Sequence, residues 1–133
     1  MKIDLNYKIK DLDGKVIKDD IQDTDKNDNP QYDGDGKVKR KKGKAITMRM
    51  VCERALLNPD VTIDQRTGKM VQIPIEAEEK LNRYDLALQI HKADGLFDIG
   101  VDDIKLLKDL IGRKFPPLTV GQAYRILDPT TKN

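Results

Sequence analysis

An α+β fold, mainly α, is what this sequence predicts: a compact four-helix C-terminal body with one or two small β-hairpins. Three observations lead there. From Ala45 onward, apolar residues recur at helical spacing in four separate segments. Two pairs of short apolar runs each flank a glycine-containing turn. Residues 22–44 hold almost no apolar side chains, leaving only Tyr32 and Val38, which confines the core to the rest of the chain.

The first element is an N-terminal β-hairpin within residues 1–21. Tyr7-Lys8-Ile9-Lys10 and Lys15-Val16-Ile17 alternate apolar with polar around Asp13-Gly14, a pair that accepts the positive φ of a tight turn. Residues 22–44 read as a charged loop or linker, acidic and then basic. The helical body takes 45–129 and a tail takes 130–133. Thr47 caps a helix from about Met48 to Leu57, which Asn58-Pro59 ends. Val61-Thr62-Ile63 and Met70-Val71-Gln72-Ile73 flank Arg66-Thr67-Gly68 as a second hairpin. The longest helix runs from Glu76 to about Ala93. Leu81, Tyr84, Leu88 and His91 form its apolar stripe, widened by Ala77, Ala87 and Ile90, and Gly95 terminates it. Asp102 caps a third helix that runs through Ile111, with Gly112 at its C-terminal end. Thr119-Val120-Gly121-Gln122 fits a capping box for a last helix through Leu127, stopped by Pro129.

Composition excludes several functional classes. The single cysteine, Cys52, rules out an intramolecular disulfide framework and fits a reducing compartment. No apolar run approaches the ~18 residues of a membrane span, and the opening residues lack the apolar stretch of a signal peptide. A cytoplasmic location is the expectation. The net charge of +2 hides a strong segregation. Residues 11–36 carry nine Asp and three Lys, residues 37–44 carry six basic side chains and no acid, and residues 45–133 balance thirteen against thirteen. Any role that rests on charge therefore passes through residues 11–44.

Chemistry-bearing constellations are few. The chain has no serine, so a Ser–His–acid triad is impossible. Cys52 and His91 are the one nucleophile–base pair available, but Cys52 lies among Met50, Val51 and Ala55, where a free thiol packs as a small hydrophobe. No catalytic residue, cofactor or small-molecule substrate is expected. Asp23, Asp25 and Asn27 open like a calcium-binding loop. Asp28 then stands where the turn needs glycine, and Gly34 where a bidentate Glu belongs. Lys37, Lys39, Arg40, Lys41, Lys42 and Lys44 form the clearest anion- or nucleic-acid-binding candidate, through salt-sensitive phosphate contacts. The run contains no aromatic residue for base stacking, and the acidic stretch upstream offers it an internal partner.

RYDLALQIHKAD (83–94) and VDDIKLLKDLIGRKFPPLTVGQAYRILD (101–128), with DLDGKVI (11–17), resemble small uncharacterised proteins of tailed bacteriophages and prophages. The resemblance implies a phage-encoded accessory or assembly factor in the host bacterial cytoplasm or associated with the virion, and carries no catalytic residue. The expected function is a non-enzymatic interaction or assembly protein with a protein partner or with itself. The alternative is a nucleic-acid-associated protein that uses residues 37–44.

Overall fold

The side chain of Thr47 starts the first helix: its Oγ1 accepts from Met50 N at 3.3 Å, and helix α1 runs Met48–Leu57. The computed structural model describes residues 1–22, 31–32, 34–37 and 40–128, with backbone alone for 20–22 and 40–42. They form two compact units, Met1–Tyr7 with Thr47–Asn133, and Lys8–Ile46. In chain order the strands are β1 (Lys2–Asp4), β2 (Lys18–Gln22), β3 (Arg40–Ala45), β4 (Val61–Ile63), β5 (Met70–Gln72) and β6 (Leu96–Asp98). Helices α2 (Ala77–Lys92), α3 (Val101–Lys114) and α4 (Pro117–Leu127) complete the described elements. The expected class holds: four helices dominate, with three two-stranded antiparallel sheets, β1–β6, β2–β3 and β4–β5.

In the larger unit the core is helical. Met48, Val51 and Cys52 of α1 are fully buried, as are Ile90 of α2, Leu107, Leu110 and Ile111 of α3, and Leu127 of α4. Each large apolar side chain so buried contributes roughly 1.5–3 kcal/mol. Ile3 and Leu5 join this core because β1 pairs with β6, setting Ile3 across from Phe97. Residues 1–7 therefore belong to the body, a correction to the expected hairpin over 1–21. Three-residue strands with one inward side chain leave too little alternation to read from sequence.

Helix ends depart from expectation for identifiable reasons. Helix α2 stops at Lys92 with Ala93 extended, and no glycine cap is used. The guanidinium of Arg49 instead donates to the carbonyls of Ile90, His91 and Asp94, placing a cation at a helix C-terminus. Helix α3 begins one residue before Asp102, with Gly100 at the cap, and continues through Gly112 to Lys114. Helix α4 opens on Pro117, whose fixed φ suits the first helical position, so Thr119 lies inside the helix.

Gly112 serves close approach, not termination. A Cβ there would stand 2.5 Å from Tyr124 Oη, and that hydroxyl donates to Lys108 O at 2.6 Å. Gly112→Ala is expected to destabilise the protein by about 1–3 kcal/mol, although alanine is the better helix former by about 1 kcal/mol. Adding Tyr124→Phe, which removes the obstructing oxygen, should recover part of that loss. Urea denaturation of the single and double variants checks both.

In the smaller unit, Gly14 has φ +83° and its N–H donates to Asp11 O at 3.0 Å, completing the expected Asp13-Gly14 turn, with Lys10 bridged to Val16. Ile9, Ile17 and Ile46 share backbone hydrogen bonds of 2.8–2.9 Å, and Ile9 is buried. The expectation of a loop across 22–44 is corrected at its C-terminal end. Arg40–Ala45 is a strand that pairs with Lys18–Gln22, setting Asp20 across from Lys42. Backbone pairing does not depend on apolar content, so a charged segment can still form a strand.

Candidate functional site

Between α1 and β4 the chain carries Asp60, whose side chain is only 6% exposed. Three cations converge on its two oxygens. Arg83 Nη1 of α2 lies 3.3 Å from Oδ1, Lys114 Nζ of α3 lies 2.9 Å from Oδ1, and Arg113 Nη1 lies 3.4 Å from Oδ2. Arg83, 6% exposed, also donates through Nη2 to Glu79 at 2.8 Å, while its Nε is buried without a partner. Lys114 reaches the carbonyls of Ala55 at 2.8 Å and Asn58 at 2.5 Å, closing the C-terminus of α1. Burial pushes the Asp60 carboxyl up, but hydrogen bonds from Lys114 and Arg83 and their charges outweigh it and hold it below the usual range. Burial likewise opposes the charge on Arg83, and Glu79 and Asp60 more than offset it.

Two cavities flank this cluster and share Asn58, Pro59, Asp60 and Ile73. One of about 480 Å³ opens towards Leu57, Pro74, Lys80 and Arg83, and one of about 340 Å³ opens towards Val61, Arg113 and Lys114. Asp60 is the single carboxylate among their lining residues, and three cations hold it ionised, so it is no proton acceptor near neutrality. The cluster ties the C-terminal ends of α1 and α3 to the middle of α2.

The second feature is apolar. Strands β4 and β5 form a ribbon exposed at every residue, including Val61 (44%), Ile63 (62%), Met70 (67%) and Val71 (41%). A further apolar surface is exposed on α2. The buried side of that helix is Arg83, Leu86, Ala87 and Ile90: Ala87 and Ile90 of the expected stripe are buried, Leu88 is half-buried, and Leu81, Tyr84 and His91 are exposed. Leu81 and Tyr84 are more than half exposed. Tyr84, Leu88 and His91 line an apolar groove with Leu57, a residue that also lines the larger cavity beside Ile73.

Comparison with family models, curated proteins and solved structures finds no match.

The residues singled out from sequence fall elsewhere. Cys52 is fully buried. Burial, and then the charge of Glu53, push its thiol up to about 12. The His91 ring is 71% exposed, with Nδ1 2.9 Å from Glu53 Oε1. Cys52 is expected to resist thiol reagents in the folded protein and to react fully in denaturant. An unfolded thiol ionises near pH 8.5. Stability should therefore fall as pH rises from there towards about 12, and Cys52→Ala should flatten that fall, as thermal melts across alkaline pH would show.

Asp23, Asp25 and Asn27 lie outside the described residues, as does Lys39. Among the described residues no group of three His, Cys, Asp or Glu side chains is arranged to hold a metal ion. Lys37 and Lys44 are exposed, and Arg40, Lys41 and Lys42 lie along β3, opposite β2. No helix among the described residues is long and apolar enough to cross a membrane.

Sequence reasoning missed Asp60, Arg83, Arg113 and Lys114. One signal was present: Arg83 stands at helical spacing from Leu86, Ala87 and Ile90, so a cation shares the apolar stripe that the helix buries.

Proposed function

We propose that the protein is a non-enzymatic interaction protein that binds another polypeptide through the exposed β4–β5 ribbon. The setting that fits is an accessory or assembly factor of the phage-encoded kind that residues 83–128 resemble. The observation that carries this reading is the ribbon itself. Apolar side chains exposed together mark contact surfaces, because a monomer gains nothing by leaving them in water.

Photo-crosslinking amino acids placed at Ile63 and Met70, in cells that naturally make the protein, test the reading against Lys105 on α3 as control. Discrete polypeptide adducts from 63 and 70, identified by mass spectrometry and absent at 105, are expected. No adduct at either ribbon position, or the same adducts at 105, would overturn it. Salt-sensitive binding of nucleic acid, lost when Lys37–Lys44 are changed to Gln, would favour the alternative instead.

A further inference from the structure

Hydrogen bonds at the two ends of the ribbon fix what its edges offer. Asp64 N donates to Lys69 O at 2.8 Å, and Ile73 N to Asp60 O at 2.7 Å. With Val61 across from Gln72, Thr62 from Val71 and Ile63 from Met70, antiparallel alternation makes Thr62 and Val71 the pair that exchanges backbone bonds. The backbone groups of Met70 and Gln72 therefore point out along the free edge of β5, and those of Val61 and Ile63 along the free edge of β4. Edge strands are ordinarily defended by charged residues, proline or a bulge. Residues 61–63 and 70–72 contain no charge and no proline, and their register is unbroken.

Charge selects one edge and one partner. Pairing β4 with a second β4 about Thr62 would set Asp60 across from Asp64 at both ends, and Asp60, buried and already held by Arg83, Arg113 and Lys114, has no freedom to serve a new ladder. Pairing β5 with a second β5 about Val71 sets Met70 across from Gln72 and Lys69 across from Ile73, with no like charges facing. Resting on the reading of the ribbon as a contact surface, we propose that its partner is a second copy of this chain, joined antiparallel along β5 into a four-stranded sheet. Met70 and Gln72 exchange backbone bonds with their counterparts across the two-fold axis. Val71 lies directly opposite the other copy's Val71 as a non-hydrogen-bonded pair, Cα atoms about 4.5 Å apart. The contact is small beside the ~1,200–2,000 Å² of a stable interface, so association depends on concentration.

Sedimentation equilibrium of the full chain over a concentration series is expected to show the mass rising from one chain towards two. Val71→Lys or Val71→Glu sets like charges opposite each other and should weaken association about tenfold or more, while a mixture of the two variants should recover it. Oxidised Val71→Cys should give a disulfide-linked dimer, and Thr62→Cys, on the strand away from the join, should not. If Val71→Lys loses its far-UV circular dichroism, the cysteine pair decides. A chain that stays monomeric and does not cross-link at 71, a mixture that recovers nothing, or a Thr62→Cys cross-link would each overturn the proposal. Photo-adducts of Ile63 and Met70 with a different polypeptide would then leave the interaction reading standing without self-pairing, while absence of any adduct would remove both.

Discussion

Asp60→Ala is expected to cost about 3–5 kcal/mol of folding stability, measured by urea denaturation. The size of the effect comes from what is left behind. Arg83 is 6% exposed, and its Nε already lacks a partner. Without Asp60 its remaining ion pair is with Glu79, which is half exposed and on the same helix. Lys114 loses its carboxylate while still held at the C-terminus of α1. Removing both halves of the buried pair, as Asp60→Ala with Arg83→Met, should cost less than the sum of the single losses, because no buried charge then lacks a partner. The acid dependence has a definite sign. The folded pKa of Asp60 lies below its unfolded value of about 3.9, so its contribution is complete above that pH and drains as pH falls through the folded value. Asp60→Asn should lose less stability than the native protein on acidification below about pH 4.

Leu110→Ala is expected to cost about 2–5 kcal/mol, the range for a fully buried leucine whose cavity cannot close. Leu110 and its neighbours Leu107 and Ile111 form the buried side of α3, so a void there has rigid walls. A second pair of substitutions tests the rotation of α2. Leu86→Ala, at a position 4% exposed, should fall in the same range, whereas Leu81→Ala, at a position 58% exposed, should change stability by about 0.5 kcal/mol or less. Equal losses at 81 and 86 would mean that the helix buries the Leu81 stripe after all.

The contrast between Leu81 and Leu86 shows what the sequence could convey. Element type was legible wherever local chemistry decides it. Thr47 before Met48 marks the start of α1, and Gly68, with φ +70°, marks the turn of the β4–β5 hairpin. Orientation was less legible. The apolar stripe of α2 is wide, and only tertiary packing chooses which side of it is buried; the chosen side includes an arginine because Asp60, far away in sequence, is there to receive it. Strand pairing at long range was not legible at all, since Lys2–Asp4 and Leu96–Asp98 are each three residues long. The Asp60 cluster escaped for the same reason: its members come from three segments, and no motif spacing joins them. The exposed ribbon, by contrast, was present in the sequence as a hairpin, and only its lack of cover needed coordinates.

One hydrogen bond at the edge of the body has a consequence for how the chain is joined. Met48 N donates to Tyr7 O at 2.8 Å, so the strand segment that leaves the body at Tyr7 and the helix that re-enters it at Met48 meet side by side. Everything from Lys8 to Ile46 is spliced between two touching points. The entropy of closing such a loop changes by only about 0.6 kcal/mol per doubling of its length. The two splice points are held by the body's own hydrogen bond rather than by the length of chain between them.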